Sequence, residues 1–308
     1  MKLLVFIPCL NEANTIGGIL DSIPKKLKNI DEIQTLIIDD GSDDKTSEIV
    51  EKYENVYLIV NRKTKGLAEA FNTALEYSIK NNVDIMLSLD GDNQYPTKYI
   101  QKLIDPIISQ NFDIVIGNRQ VDKISHFSYL KKLIHKLGTY FINFFLDSKI
   151  SDPPSGMRAY SKLAMKNLVI MNKFSYTLET LYHADYLKLS IYEVLIEINQ
   201  PTRKSRLFKS NFQYLIKSLN SLLSILVYYK SSLVLNLLSI PFYLFGLGLW
   251  SRYILKIIFF DDISGRFIPS IIVGGVFIII GVMMTCFSYL LNFLRFNQIY
   301  LLKKISKK

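Results

Sequence analysis

The sequence predicts an α/β protein: a doubly wound, mostly parallel sheet followed by amphipathic interface helices and two transmembrane helices. Three observations support this prediction. Short apolar runs alternate with helical patterns over residues 1–120, basic and aromatic amphipathic segments come next, and two long uncharged runs lie in the last third.

The alternating region predicts five strands and four helices. The apolar runs are rich in β-branched residues and continuous, as strands covered on both faces are. We predict strands at Leu3–Pro8, Thr35–Asp39, Val56–Val60, Ile85–Asp90 and Asp113–Gly117, with helical patterns at Asn14–Ile23, Lys45–Tyr53, Leu67–Lys80 and Thr97–Ser109. A sheet of this kind binds its ligands beyond the carboxyl ends of the strands.

Two amphipathic segments follow. The segment Lys123–Leu146 is helical in pattern, basic and aromatic. One interpretation is an ordinary helix packed on the core, and the favoured one is a helix lying on lipid headgroups. Residues 207–232 have the same character and are predicted as an amphipathic juxtamembrane helix.

The last region, residues 233–308, is predicted to be a transmembrane hairpin with a basic tail. Its uncharged runs, Leu233–Trp250 and Phe267–Leu294, hold 18 and 28 residues, and a bilayer core takes about 20. Basic residues precede the first run and follow the second, so the positive-inside rule places both termini in the cytoplasm. The less favoured interpretation is a pair of buried helices in a soluble protein.

Composition agrees with a membrane surface. The chain has a net charge of +10, 49% apolar residues and a mean hydropathy of +0.20, too apolar for a disordered chain. From residue 203 onward there are 14 basic and 2 acidic residues, and they flank apolar runs, which favours lipid over nucleic acid.

The two cysteines form no metal or disulfide pattern, as in a reducing compartment. Neither GxGxxG nor a P-loop is present.

Polar and acidic residues follow four of the predicted strands, at 8–12, 39–44, 90–94 and 117–119. Each alone is typical of a turn or a helix cap. Together they place several carboxylates on one rim of the sheet, which is costly unless a cation neutralises them. Asp90 and Asp92, one residue apart, are suited to hold Mg²⁺ or Mn²⁺ together with a diphosphate.

Six segments in order resemble family 2 glycosyltransferases, and more narrowly the polyprenyl-phosphate sugar transferases of the dolichol-phosphate mannose synthase type. They are IPCLNE (7–12), DDGSDDKT (39–46), KGLAEAFNTAL (65–75), LDGDNQYP (89–96), GNR (117–119) and DPPSGMRAY (152–160), and the likeness extends over residues 3–220. The resemblance implies a glycosyltransferase A-type fold, with residues 1–206 as a cytoplasmic catalytic domain. It also implies metal-dependent, inverting transfer of one sugar from a UDP- or GDP-sugar to undecaprenyl or dolichyl phosphate.

The resemblance also implies roles for individual residues. Those implied to line the nucleotide site are Pro8, Leu10, Glu12, Asp39, Asp40, Lys65 and Asp90. Those implied to bind the metal are Asp90, Asp92 and Gln94, and those implied in catalysis are Asp92, Arg119, Asp152, Arg203 and Arg206. The segment TRKSRLFKS lacks the glycine of the commoner family form, so Arg203 and Arg206 stay alternatives for one role.

Two other functions stay open from the sequence. One is transfer to a hydroxyl of a lipid-linked or cell-surface glycan, which needs a general base, for which Asp152 is the best candidate. The other is a non-catalytic scaffold, which the intact pair Asp90 and Asp92 argues against. The QxxRW motif of processive synthases is absent before Trp250, which favours transfer of a single sugar. A homo-oligomer formed through the membrane helices is left open.

Overall fold

The structure is a computed structural model that describes residues 1–125, 127–171, 176–200, 226, 230–260 and 268–305. The chain divides into two compact units, Met1–Ile225 and Leu226–Lys308. The predicted boundaries at 206 and 232 stay a proposal, since almost all of residues 207–232 lie outside the described residues.

The first unit contains a seven-stranded sheet in the order β3-β2-β1-β4-β6-β5-β7. Only β6 runs antiparallel to its neighbours, β4 and β5, and the other pairs are parallel. The strands are β1 Lys2–Cys9, β2 Glu32–Asp39, β3 Val56–Val60, β4 Ile85–Ser88, β5 Ile114–Asn118, β6 Arg158–Ser161 and β7 Ile191–Leu195. The five predicted strands and the mostly parallel sheet are confirmed, and β6 and β7 were not predicted.

Seven α-helices accompany this sheet in the described part of the first unit. They are α1 Ile16–Ser22, α2 Thr46–Val50, α3 Leu67–Lys80, α4 Ile100–Gln110, α5 Tyr129–Phe144, α6 Lys162–Asn167 and α7 Tyr176–Leu187. Helix α1 begins two residues later than predicted, because the Glu12 carbonyl accepts hydrogen bonds from the N–H groups of Thr15 and Ile16 and forms a turn there.

Helices cover both faces of the sheet, because side chains along β1 alternate in direction. Val5 belongs to a buried apolar cluster that includes Ile19 of α1 and Leu103 of α4. Its neighbour Phe6 points the other way and contacts Phe71 of α3 edge to face, with ring centroids 6.4 Å apart. The doubly wound arrangement is thereby confirmed, and all strand-end loops remain at the rim.

Helix α5 does not pack as a core helix. Its N-terminus is capped by Ser128, whose hydroxyl accepts a hydrogen bond from the Lys131 N–H at 3.3 Å. Ile142 is its one buried residue. Eight large apolar side chains of this helix are exposed to solvent: Tyr129, Leu130, Leu133, Ile134, Leu137, Tyr140, Phe141 and Phe144. The interpretation as an ordinary core-packing helix is therefore wrong.

The described part of the second unit contains two long helices, α8 Ser231–Phe260 and α9 Ile268–Ile305. Both are long and apolar enough to span a membrane, over Ser231–Phe259 and Ile268–Leu294. They approach closely at two glycines, since a Cβ on Gly246 would lie 2.8 Å from the Gly274 carbonyl oxygen. A hydrogen bond of 3.0 Å between the hydroxyls of Tyr243 and Thr285 also joins them. Small residues and interhelical hydrogen bonds are typical of packing between membrane helices.

Candidate active site

The loops after β1, β2 and β4 are joined by hydrogen bonds, so their polar residues form one rim. The Glu12 N–H donates to the Thr46 hydroxyl at 2.8 Å, which ties the first loop to the second. The Thr15 hydroxyl donates to the Gly91 carbonyl at 2.7 Å, which ties the first loop to the segment around Asp90 and Asp92. The predicted juxtaposition of these strand ends is confirmed by this geometry.

On the side of β1, the residues implied in nucleotide binding line this rim. Pro8 is half-buried, Leu10 is 39% exposed and Glu12 is buried. Because Leu10 is a large apolar side chain beside polar loops, it offers a surface against which a flat aromatic base can pack.

Asp39 and Asp40 hold the neighbouring loops with their carboxylates. Asp39 accepts hydrogen bonds from the Ser42 N–H at 2.8 Å and from the Ser47 hydroxyl. Asp40 is buried and accepts from the backbone N–H groups of Lys65 and Gly66 at 2.9 and 2.7 Å. These contacts fix the start of α3, while the Lys65 side chain is exposed. In this structure both carboxylates shape the walls of the predicted nucleotide site.

Asp90 and Asp92 stand beyond β4, and both are half-buried. Burial, and next the negative charge of Asp92, raise the pKa of Asp90 to about 7. Asp92 accepts a hydrogen bond of 3.0 Å from the backbone N–H of Gln94. Asn199 holds the same turn, because its backbone N–H donates to the Gln94 carbonyl at 2.9 Å. A cation bound beside Asp90 and Asp92 would favour the charged form of Asp90 and offset the repulsion between the two carboxylates.

The three predicted metal ligands, Asp90, Asp92 and Gln94, lie in one turn after β4. Among the residues that the structure describes, no group of three or more His, Cys, Asp or Glu side chains is placed to hold a metal ion. Mg²⁺ is commonly held by one or two carboxylates together with water and phosphate oxygens. Asp90 and Asp92 supply these carboxylates, and the half-buried Gln94 is beside them.

Arg119, just after β5, is bound to Asp152 by three hydrogen bonds. Its Nε and backbone N–H donate to Asp152 Oδ2 at 2.7 and 3.0 Å, and its Nη2 donates to Oδ1 at 2.7 Å. His135 of α5 adds a fourth contact, 3.1 Å from its Nε2 to Oδ1. The Asp152 side chain is 1% exposed, and that of Arg119 is 12% exposed.

This environment does not suit Asp152 as a general base. Burial alone would raise its pKa, but the hydrogen bonds from Arg119 and His135, together with the Arg119 charge, hold the pKa of Asp152 below its usual range. Each oxygen of the Asp152 carboxylate already accepts two hydrogen bonds, and all of them come from Arg119 and His135. We therefore expect that a hydroxyl acceptor would need a base other than Asp152.

Several residues of this site were not singled out from the sequence. Glu193 of β7 accepts hydrogen bonds from the backbone N–H groups of Ser151 and Asp152, and so fixes the loop that holds Arg119. Arg158 is fully buried, and its guanidinium donates to the Pro153 and Ser155 carbonyls. The sequence did carry one signal for Arg158, because it is the charged first residue of a short, otherwise uncharged strand. The two other predicted arginines, Arg203 and Arg206, lie outside the described residues.

This fold and rim define a class of protein. The fold is similar to that of glucosyl-3-phosphoglycerate synthase from Mycobacterium tuberculosis, solved with Mn²⁺, uridine diphosphate and glucosyl-3-phosphoglycerate. The TM-score is 0.53 with 18% identity, over 73% of this chain and 79% of that one. At this identity the likeness establishes the fold, which is of the glycosyltransferase A type.

The family follows from the sequence match. Residues 4–169 match the profile of glycosyl transferase family 2, and the chain belongs to this family. It is therefore a glycosyltransferase, as its motifs predicted.

Two relatives show which members of the family this chain resembles. The UDP-N-acetylglucosamine–dolichyl-phosphate N-acetylglucosaminyltransferase of Methanococcus voltae is 31% identical over 215 residues, which cover 63% of this chain and 84% of that protein. The dolichyl-phosphate hexose transferase of Haloferax volcanii is 26% identical over 160 residues, which cover 52% of this chain and 66% of that protein. The predicted resemblance to polyprenyl-phosphate sugar transferases is thus confirmed.

Proposed function

We propose that this protein transfers one sugar from a UDP- or GDP-sugar to a membrane polyprenyl phosphate, with inversion, in glycan or cell-envelope biosynthesis. The observation that supports it most is the buried carboxylate of Asp152, whose two oxygens already accept contacts from Arg119 and His135 and are therefore poorly placed to take a proton from a hydroxyl acceptor. The two dolichyl-phosphate transferases among its relatives point to the same acceptor class.

The chemistry of a phosphate acceptor matches this arrangement. The second pKa of a phosphate monoester is about 6, so near pH 7 the acceptor is largely a dianion and attacks without losing a proton. A hydroxyl acceptor needs general-base help, typically worth 10²–10⁴-fold. With a phosphate acceptor, the protein must instead neutralise the negative charges of the acceptor dianion and of the donor diphosphate. Arg119, and either Arg203 or Arg206, are proposed for this role.

The donor side is held by the loops after β1, β2 and β4. Leu10 and Pro8 line the base, the loops fixed by Asp39 and Asp40 form the pocket wall, and Lys65 is exposed beside them. Asp90, Asp92 and Gln94 would hold Mg²⁺ or Mn²⁺. The bound ion would neutralise charge on the departing diphosphate.

Membrane attachment follows from two parts of the chain. Helices α8 and α9 are proposed as a hairpin with both termini and the catalytic domain in the cytoplasm, as the basic flanks predict. Helix α5 is proposed to lie on lipid headgroups, because it exposes eight large apolar side chains together with Lys131 and Lys136. The polyprenyl chain then enters beside a helix whose His135 contacts the Arg119–Asp152 pair.

The test uses the purified full chain in detergent with Mn²⁺ and a panel of labelled UDP- and GDP-sugars. With polyprenyl phosphate present, we expect one donor to label the lipid, and EDTA to stop the reaction. Donor hydrolysis without lipid labelling, across the whole panel, would contradict the proposed acceptor. Absence of both donor binding and hydrolysis would support the non-catalytic scaffold instead.

A further inference from the structure

Gly156, in the loop before β6, lies directly against the carboxylate of Asp90. A Cβ added to Gly156 would be 2.6 Å from Asp90 Oδ2, 2.8 Å from Oδ1 and 3.0 Å from Cγ. These are the three nearest atoms, and all belong to Asp90. Real Cβ atoms essentially never make contacts below 3.0 Å, so a side chain at position 156 would force a neighbouring group to move. The Asp90 carboxylate can occupy its place only because residue 156 has no side chain.

The peptide groups of Gly156 are held firmly by three side chains. Its N–H donates to the Tyr95 hydroxyl at 3.0 Å. Its carbonyl accepts from the Ser88 hydroxyl at 2.7 Å and from the Tyr176 hydroxyl at 3.2 Å. All of these residues are buried, where a lost hydrogen bond leaves a polar group unsatisfied.

The rest of the loop is equally restrained. The fully buried Arg158 donates from Nε to the Ser155 carbonyl at 2.8 Å and from Nη2 to the Pro153 carbonyl at 2.5 Å. Its Nη1 reaches across to the Thr177 carbonyl of α7 at 2.7 Å. The Ser155 hydroxyl donates to the Gly117 carbonyl at 2.6 Å. Since the backbone is anchored to β4, β5 and α7, a side chain at position 156 would displace the Asp90 carboxylate and not the loop.

We propose that Gly156 is a positioning residue for the metal site: because it has no side chain, this immobilised glycine leaves room for the Asp90 carboxylate at the place from which it shares a divalent cation with Asp92. The inference rests on the proposed function, because it assumes that Asp90 and Asp92 bind the cation. It makes the loop before β6 part of the metal site, although the loop supplies no ligand.

The first test measures Mn²⁺ binding by electron paramagnetic resonance of the free ion, with the full chain in detergent, alone and with UDP or GDP. We expect Gly156→Ala to weaken Mn²⁺ binding roughly 10–100-fold, the range known for residues that orient metal ligands. The matched control is Gly18→Ala, on an exposed position of α1 where a Cβ meets nothing within 4 Å, and its affinity should equal that of the wild type. Unchanged affinity in Gly156→Ala would overturn the inference. Failure of the wild type to bind Mn²⁺ under every condition would instead overturn the proposed metal site.

The second test keeps the inference falsifiable if Gly156→Ala folds poorly. Asp90→Ala removes the three atoms that the new Cβ would meet. We therefore expect Gly156→Ala to lower the Tm of the wild type but not that of Asp90→Ala. An equal decrease of Tm in both backgrounds would show that the added methyl group meets something other than Asp90, and the inference would be wrong.

Discussion

Arg119 and Asp152 form a buried pair in which the guanidinium and the backbone N–H of Arg119 together donate three hydrogen bonds to one carboxylate. His135 occupies the remaining side of that carboxylate, 3.1 Å from Oδ1. The pair fixes a cation at the rim of the sheet and removes the nearest carboxylate from acid–base chemistry. A hydroxyl acceptor needs a general base and a phosphate acceptor does not, and this pair is therefore the reason that we propose a phosphate acceptor.

The first prediction concerns the stability of the pair. Removing one partner of a buried ion pair typically costs about 3–5 kcal/mol, so we expect Asp152→Asn to lower the free energy of unfolding by about that amount at pH 7. The measurement is chemical unfolding of the full chain in detergent. The control is Asp105→Asn, on an exposed position of α4, which should stay within about 0.5 kcal/mol of the wild type.

The same pair predicts a dependence on pH. Because the pKa of Asp152 is lower in the folded chain than in the unfolded one, its stabilisation is complete above the unfolded value of about 3.9 and is lost as pH falls below it towards the folded value. The difference in stability between wild type and Asp152→Asn should thus be constant from pH 7 to 5 and shrink below about pH 4. A difference that instead stays constant as the pH falls below about 4 would mean that the pKa of Asp152 is not depressed.

The second prediction concerns the metal. Asp92→Asn should keep the fold and reduce sugar transfer at least about 100-fold, because one neutral ligand leaves the diphosphate charge uncompensated. EDTA should abolish transfer by the wild type, and added Mn²⁺ should restore it. Asp31→Asn, at a site where the side chain is 91% exposed, should have normal activity. Full turnover of the wild type in EDTA would refute metal dependence.

The third prediction concerns helix α5. Leu137 and Phe144 are 61% and 64% exposed, and burial of such side chains in lipid is worth about 1.5–3 kcal/mol each. Replacing both by Glu should raise the KM for polyprenyl phosphate at least about tenfold and leave the KM of the sugar donor unchanged. Leu163→Glu, on α6 and 53% exposed, is the matched control and should change neither KM. Equal effects of α5 and control variants would remove the argument for lipid contact by α5.

The fourth prediction concerns topology. In a chain whose two cysteines, Cys9 and Cys286, are replaced by Ser, a membrane-impermeant thiol reagent added to intact cells should label a Cys placed at 261 but not one placed at 308. The positive-inside rule predicts this result. Labelling at position 308 would show that the hairpin or its orientation is wrong.

Much of the fold could be predicted because its signals are local. The strands β1 to β5 are apolar, β-branched runs between helical patterns, and α8 and α9 are recognisable by their length and lack of charge. Strand β6 could not be predicted, since it has four residues, begins with the charged Arg158 and pairs antiparallel between β4 and β5. Its neighbours are set by tertiary pairing, which leaves no periodic pattern in the sequence.

The candidate site shows the same limit. Asp90 and Asp92 are recognisable because they are adjacent at a strand end. The contact of Asp90 with Gly156 and that of Asp152 with His135 join distant segments, so their existence depends on the packing of whole elements. For the same reason the sequence left Asp152 open as a general base, and only its hydrogen-bond partners changed that interpretation.

The most direct test of the account compares two lipid acceptors that differ only in the phosphate. The full chain, with Mn²⁺ and the sugar donor identified in the panel, is given either polyprenyl phosphate or the corresponding polyprenol, and the initial rate of sugar transfer is measured at pH 7. We predict transfer to the phosphate and no measurable transfer to the alcohol, because the Asp152 carboxylate already accepts contacts from Arg119 and His135 and Asp90 is proposed to bind the cation. Comparable rates with both lipids, or transfer to the alcohol alone, would contradict the account.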